Sequence, residues 1–414
     1  MGSCGSKSAT DDVTDDAAGK RIADRRRRLS VSQSSEARPV SSDEEEPRGS
    51  VGTQLPPLEG NGSTMASSNH QTEATPAPDK VGDQNWMGQF ANTGRRLSVS
   101  GAPSNGVQRG FDNKMQELRG DGMSFGDVGV GYACRKGLKP ESPNQDDFFI
   151  YRMGDWALYG VFDGHGPYGH DVSHFVQQHI PKLVCGHSNF QTDPKAALRY
   201  AFLQVHKLLE QTAATGRFDC TLSGSTATVA LHRMSEHKLW VAHVGDSRCV
   251  LGKVDQKARR VWAVDLTNDH KPNLEAEKKR IVASGGQVRR LEGDIPYRVF
   301  VKGKLYPGLA MSRALGDTVG SSAGVIAEPE ITLYNLDPSK DQFIIMCSDG
   351  VWEFISSQEA VDMVASRPIK NVQEAAETLA GESWKRWVAE EGNVVDDITV
   401  QVIYLNPPVS SNKA

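Results

Sequence analysis

The stretch Val161-Phe162-Asp163-Gly164-His165-Gly166 decides how this chain is read. Trp156 to Phe162 is an apolar run of strand length, and it stops abruptly at Asp163. A carboxylate at a strand end, flanked by glycine and followed by histidine, is poor core material. It suits a metal site, because glycine permits close backbone approach and the Gly164 carbonyl can face the same cation as Asp163. Alone, Asp-Gly-His-Gly reads at least as well as a tight turn. Repetition shifts the balance. The apolar run 238–244 leads into Gly245-Asp246, and 342–347 leads into Ser348-Asp349-Gly350. Asp396-Asp397 precedes the run 398–405, and Asp146-Asp147 precedes Phe148-Phe149-Ile150. Three strands end in an aspartate and two begin after one, and in an antiparallel sheet such ends share one rim.

Carboxylates crowded at one rim raise each other's pKa unless cations neutralise them. A set of oxygen ligands without a Cys or His cluster selects hard octahedral cations, Mg²⁺ or Mn²⁺. Two such ions can bridge a water and aim it at phosphorus. His165, two residues after Asp163, is suited to protonating a leaving alkoxide. For any single aspartate a turn or cap remains the better reading; for the set of five it does not.

Outward from this set, the short β-rich runs are 128–134, 147–151, 156–162, 225–232, 238–244, 247–252, 260–264, 342–347 and 398–405. Helical patterns fall at 168–184, 194–214, 273–284, 357–366 and 371–390. Strands clustered between turns argue for an α+β fold with antiparallel sheets. Residues 285–308, with Gly285-Gly286 and many charges, read as a loop or flap. A domain over 121–407 is expected, with a disordered tail over 1–120 and a short one over 408–414.

The 414 residues are 38% hydrophobic, with a mean hydropathy of -0.47, low for a wholly packed chain. A net charge of -5 gives no sign of nucleic-acid binding. The six cysteines are scattered without a Cys-x-x-Cys pair, which argues for a reducing compartment. No apolar run reaches the roughly 20 residues of a membrane span, and no secretory h-region is seen at the start. Instead, Met1-Gly2-Ser3-Cys4-Gly5-Ser6 fits N-myristoylation at Gly2, with Cys4 placed for a second acyl chain. The basic run Arg25 to Arg28 would add attraction to anionic lipid. A monomer on the cytoplasmic face of a membrane is therefore expected.

Within the tail, Arg27-Arg28-Leu29-Ser30-Val31-Ser32 recurs as Arg95-Arg96-Leu97-Ser98-Val99-Ser100. The pattern Arg-Arg-x-Ser resembles a site for basophilic kinases, making Ser30 and Ser98 phosphoacceptor candidates. Phosphate on Ser30 would offset the adjacent positive charge. Ser41-Ser42-Asp43-Glu44-Glu45-Glu46 resembles an acidophilic kinase site, and reads equally as a solvated charge run.

The ordered motifs now carry a resemblance. Val161–Gly166, Gly224-Ser225-Thr226-Ala227, Val244-Gly245-Asp246-Ser247-Arg248, Met311-Ser312-Arg313-Ala314-Leu315-Gly316-Asp317, Cys347-Ser348-Asp349-Gly350-Val351-Trp352 and Asp396-Asp397-Ile398-Thr399 are similar to the type 2C metal-dependent protein Ser/Thr phosphatases, over roughly 121–407. The resemblance implies an αββα sandwich of two antiparallel sheets flanked by helices, acting on phosphorylated proteins through two Mg²⁺ or Mn²⁺ ions and a weaker third. By position it implies that Asp163 bridges two ions, Asp349 and Asp396 complete one, and Asp146 with the Gly164 carbonyl serves the other. Asp246, Asp349 and Glu353 would form the looser third site, His165 would be the general acid, and Thr226 and Asp397 would support. Glu141 stands where relatives carry a phosphate-binding arginine, and Gln145 where they carry a metal-adjacent glutamate. Arg135, Lys136 and Lys139 are the candidates to take over the phosphate, and the sequence does not choose among them.

Rival chemistries are thinner. His170 and His174 have the spacing of two zinc ligands on a helix, but Asp171 stands where a metalloprotease needs glutamate. No Gly-x-Ser-x-Gly elbow and no phosphate loop is found. Two alternatives remain: a weak, phosphatase-like scaffold that binds phosphoproteins, motivated by Glu141 and Gln145, and a hydrolase of small phosphorylated metabolites.

Overall fold

The computed structural model describes residues 96–406, except 105–108, 115, 121–123, 140, 141, 256 and 258. Gly2, Cys4, Ser30, the run Arg25 to Arg28, Ser41 to Glu46, Glu141 and the 408–414 segment lie outside the described residues.

The chain begins with β1 (Arg96–Gly101), β2 (Gln116–Gly120), β3 (Val130–Arg135), β4 (Asp146–Met153) and β5 (Trp156–His165). Helices α1 (Gly169–Cys185) and α2 (Pro194–Ala214) follow, then β6 (Gly224–Ser225), β7 (Ala227–Arg233), β8 (Lys238–Val244), β9 (Arg248–Asp255) and β10 (Arg260–Asp265). After α3 (Glu275–Ala283) come β11 (Gly286–Arg289), β12 (Arg298–Val301), β13 (Pro307–Leu309), β14 (Leu315–Gly316), β15 (Glu330–Asn335) and β16 (Asp341–Cys347). Helices α4 (Ser357–Ala365) and α5 (Val372–Glu391) precede the last strand, β17 (Ile398–Tyr404).

One antiparallel sheet runs β15-β8-β7-β5-β4-β1-β2, with β6 and β14 attached at its end. The second runs β10-β9-β16-β17-β3. Side-chain alternation builds three apolar layers from them. On β5, Leu158 and Phe162 pack under α1 and α2, while Tyr159 and Val161 face the second sheet. On β16, Ile344 and Met346 face the first sheet, while Phe343 and Ile345 pack under α4 and α5. The architecture is therefore an αββα sandwich, and strands buried on both faces explain why their sequences are unbroken apolar runs. Helix α2 has its start written in sequence: Asp193 accepts from the Ala196 amide and Pro194 opens the first turn.

Three expectations need correction. The tail does not extend to 120, because β1 is paired to β4 and β2 on its two sides, with Leu97 and Val99 in the core between the sheets. Ser98 is therefore not in an accessible tail; it is 5% exposed within the sheet. Residues 285–308 are not a bare loop: β11, β12 and β13 form a small sheet. Arg298 is buried within it, its guanidinium donating to Asp294 Oδ2 at 2.6 Å and to the Gly308 carbonyl at 3.0 Å. β15, unforeseen because its half-exposed residues mix polar and apolar types, edges the first sheet.

Candidate metal centre and active site

The register of the two sheets brings the aspartates to one rim. Asp146 and Asp163 are direct cross-strand partners on β4 and β5. In the second sheet Cys347 pairs with Val400 and with Arg248. That places Asp349, Asp396 and the Gly245-Asp246 turn just beyond the same end. A cleft of about 80 Å³ opens there, lined by Asp163, Gly164, His165, Asp246, Asp349, Glu353 and Asp396, with Lys139, Gln145 and the Leu309–Met311 segment closing it. The sequence-predicted carboxylates thus converge, with one difference. Asp146 lies behind the cleft wall, its Oδ2 accepting from the hydroxyls of Ser348 and Thr399 at 2.7 Å each.

Backbone features hold the set. Asp163 N–H donates to Thr226 Oγ1 at 3.0 Å, and Thr226 N–H donates back to the Asp163 carbonyl at 2.8 Å. Asp397 accepts from the amides of Gly137 at 2.7 Å and Gln145 at 2.8 Å, tying β17 to the loop before β4. Gln145 donates through Nε2 to the Gly166 carbonyl at 2.7 Å and fixes the turn after His165. At Gly164 a Cβ would stand 2.2 Å from the Gly169 carbonyl, so only glycine fits.

The electrostatics call for cations. Burial, then Asp349, Asp146, Asp396 and Asp246, push Asp163 well above the usual carboxylate range. Burial, then Asp396 and Asp246, push Asp349 up to about 7. Asp246 Oδ1 is buried with no hydrogen-bond partner, while its Oδ2 takes Lys271 Nζ at 2.5 Å. An all-oxygen donor set with excess negative charge and an orphaned buried carboxylate oxygen fits hard divalent ions.

The three basic candidates separate. Arg135 pairs with Glu377 at 2.5 Å and lies over the Phe111 ring, turned away from the cleft. Lys136 is buried 3.7 Å from Asp397 and donates to the Lys139 carbonyl. Lys139 alone of the three lines the cleft, where its ammonium contacts Asp396.

Sequence reasoning quoted Asp317 without giving it a role. Its Oδ2 meets His165 Nε2 at 2.6 Å, and it is fully buried. Burial works to lower the His165 pKa, but Asp317 outweighs it and the net shift is upward. His165 Nδ1 is buried without a hydrogen-bond partner. Asp317 adopts a left-handed backbone (φ 48°, ψ 49°), a conformation uncommon outside glycine and enriched at functional sites. No local signal links residues 152 positions apart, so only folding reveals the pair. Lys271 was missed for the same reason.

Two histidine groups prove structural. His174 Nδ1 lies 2.8 Å from Asp147 Oδ2, so it faces inward rather than toward solvent. His243, His270 and Glu330 also gather, the two rings stacked 4.3 Å apart. The Gly245 amide donates to His270 Nδ1, so the neutral ring carries its proton on Nε2, toward Glu330 at 3.6 Å. A ring in that tautomer offers no lone pair there for a metal.

Comparison with known proteins agrees with this geometry. The family model described as "Protein phosphatase 2C" matches residues 142–391. The chain is 33% identical over 329 residues to "Probable protein phosphatase 2C 35" of Arabidopsis thaliana, covering 73% of this chain and 91% of that one. It is 38% identical over 282 residues to "Probable protein phosphatase 2C 64" of Oryza sativa subsp. japonica, covering 66% and 64%. Among solved structures, its fold is similar to "serine-threonine phosphatase 2C from Toxoplasma gondii", with a TM-score of 0.59 at 19% identity over 74% of this chain and 98% of that one. The motifs, the sandwich and the extent of the matches agree: the chain belongs to the protein phosphatase 2C family, the metal-dependent serine/threonine phosphatases.

Proposed function

We propose that the cleft hydrolyses phosphoserine and phosphothreonine in proteins, with Mg²⁺ or Mn²⁺ held by the converging carboxylates. The observation that carries this reading is that Asp163, Asp246, Asp349, Glu353 and Asp396 line one small cleft beside His165. Asp163 would be shared between two ions, with Asp349 and Asp396 on one side and the Gly164 carbonyl on the other. Asp146 contributes its charge from behind. Asp246, Asp349 and Glu353 would hold a weaker third ion. When bound, the ions supply Lewis-acid charge that activates water and neutralises the phosphate.

The chain's own residues do the rest. Thr226 and Asp397 set the two ends of the ligand array. Lys139, on the cleft wall, is placed to meet a phosphate oxygen, the role left open by Glu141. His165, oriented by Asp317 at Nε2, keeps Nδ1 without a protein partner and so presents it to the oxygen of the departing serine.

The test is Mn²⁺-dependent hydrolysis of a phosphopeptide by wild type and by Asp349→Ala. Turnover lost in the variant supports the reading. Absence of turnover in wild type, with phosphopeptide still bound, supports the scaffold. Activity confined to phosphorylated metabolites points to the third class.

Membrane tethering through Gly2 and Cys4, on the cytoplasmic face, belongs to the same proposal and is supported by the pattern Met1–Ser6 with the basic run Arg25 to Arg28. Gly2→Ala is expected to move the protein from membrane to soluble fractions; unchanged fractionation removes the tether.

A further inference from the structure

The second copy of the Arg-Arg-Leu-Ser-Val-Ser repeat is β1, and its serine is buried. We propose that Ser98 is a phosphoacceptor that a basophilic kinase reaches only when β1 leaves the sheet, and that phosphate there holds β1 out and loosens the metal edge.

Ser98 lies opposite Tyr151 of β4 on one side and Arg119 of β2 on the other. It is 5% exposed, between Leu97 at 4% and Val99 at 0%. A kinase must bring the hydroxyl to its own active site as part of an extended chain, which a strand paired on both sides denies. Its Oγ would attack the γ-phosphorus of ATP, forming the Ser–O–P bond as the bond to ADP breaks, and its proton would pass to the kinase's base. The product carries about two negative charges and three acceptor oxygens. Buried in a strand interior, that group has no room and a large desolvation cost. The docked strand and the phosphate exclude each other.

β1 and the residues after it also brace the metal edge. A Cβ at Gly101 would stand 2.2 Å from Asp147 Oδ1, so the strand end lies hard against β4. Ser104 Oγ donates to the Asn144 carbonyl at 2.7 Å, and Asn144 Oδ1 accepts the Asp146 amide at 2.9 Å. Lys114, fully buried, donates to the Asp146 carbonyl at 2.5 Å and to Asp147 Oδ2 at 3.0 Å. These contacts position Gln145 on the cleft wall and Asp146 behind it. The slot also tells the two repeats apart: the first copy is followed by Gln33, whose Cβ the Gly101 position cannot admit. Only the second copy can couple its serine to the site.

The test uses the full-length chain, the catalytic subunit of a cyclic-nucleotide-dependent kinase and the thio analogue of ATP, whose product resists the protein's own activity. Site-resolved mass spectrometry follows Ser98. Thiophosphorylation is expected at least about 100-fold more slowly in the folded protein than in a peptide of residues 93–104, the cost of opening a doubly paired strand. Equal rates, or no reaction in the peptide, overturn the gated site. In the purified thiophosphorylated protein, amide-exchange protection is expected to fall over Leu97–Gly101 and Asp146–Phe149, and calorimetric Mn²⁺ binding to weaken at least about tenfold. Retained protection overturns the displaced strand, and lost protection with unchanged Mn²⁺ binding overturns the coupling. Ser98→Ala, treated identically, keeps wild-type exchange and Mn²⁺ binding. The Mn²⁺ arm rests on the proposed metal centre, whereas the rate and exchange arms do not, so the two failures are distinguishable.

Discussion

His165 is positioned through one nitrogen, and the residue that does it can be tested apart from the metal ligands. Removing the charge in Asp317→Asn should lower turnover of a phosphoserine peptide by about 10²-fold, at the lower end of what positioned acid catalysis contributes. An aryl phosphate whose leaving phenolate needs little protonation should lose much less. Equal losses on both substrates would make Asp317 a merely structural residue. Gly224 tests the same contact from its other side. A Cβ there would stand 2.1 Å from Asp317 Oδ2 and 2.8 Å from His165 Nε2, so Gly224→Ala should separate the pair and repeat the substrate-dependent loss. The sequence named both residues within motifs but showed the reason for neither, because the contact is made by chain segments far apart.

At the scale of elements, what was legible and what was not follow from burial. Helix α2 and strands such as β5 and β16 stood out because a cap or an unbroken apolar run marks them. β1 was read as tail because one six-residue alternation of Leu97 and Val99 with serines is short, and serine-rich surroundings mask it. The sheet of β11, β12 and β13 was read as loop because its strands are short and its one fully buried cation, Arg298, looks like a surface residue in sequence. Yet the Leu97 side chain lies in the layer between the sheets. Leu97→Ala should therefore destabilise the fold by about 2 kcal/mol, the low end for a buried leucine, since the strand lies near the sheet margin. Leu305→Ala, at a position 68% exposed on the small sheet, should change stability by less than about 0.5 kcal/mol. Denaturant midpoints at constant m-value check both, and a silent Leu97→Ala would return β1 to the status of a tail.

For the whole molecule, the same rim that makes a metal centre is a liability without the ions. Carboxylates from both sheets face one another there, and the fold that joins β5, β8, β16 and β17 must hold them together against repulsion. Asp349 shows the sign of the effect. Its folded-state pKa is raised to about 7, from an ordinary value near 3.9. A raised carboxyl contributes stability that is full below the unfolded value and is lost as pH rises through the folded one. In chelator the protein should accordingly lose stability between about pH 4 and pH 7 on this account. Asp349→Asn removes the charge, so it should raise Tm by a few degrees in chelator at pH 8, corresponding to roughly 1–3 kcal/mol, and by less at pH 5. Mn²⁺ should raise the Tm of wild type in proportion to its occupancy and leave that of the variant nearly unchanged. A substitution that stabilises the ion-free protein while abolishing its response to the ion is the signature of a site in which folding holds charges together for a ligand. If Asp349→Asn instead lowered Tm in chelator at pH 8, those carboxylates would be serving the fold, and the rim would not be a metal centre.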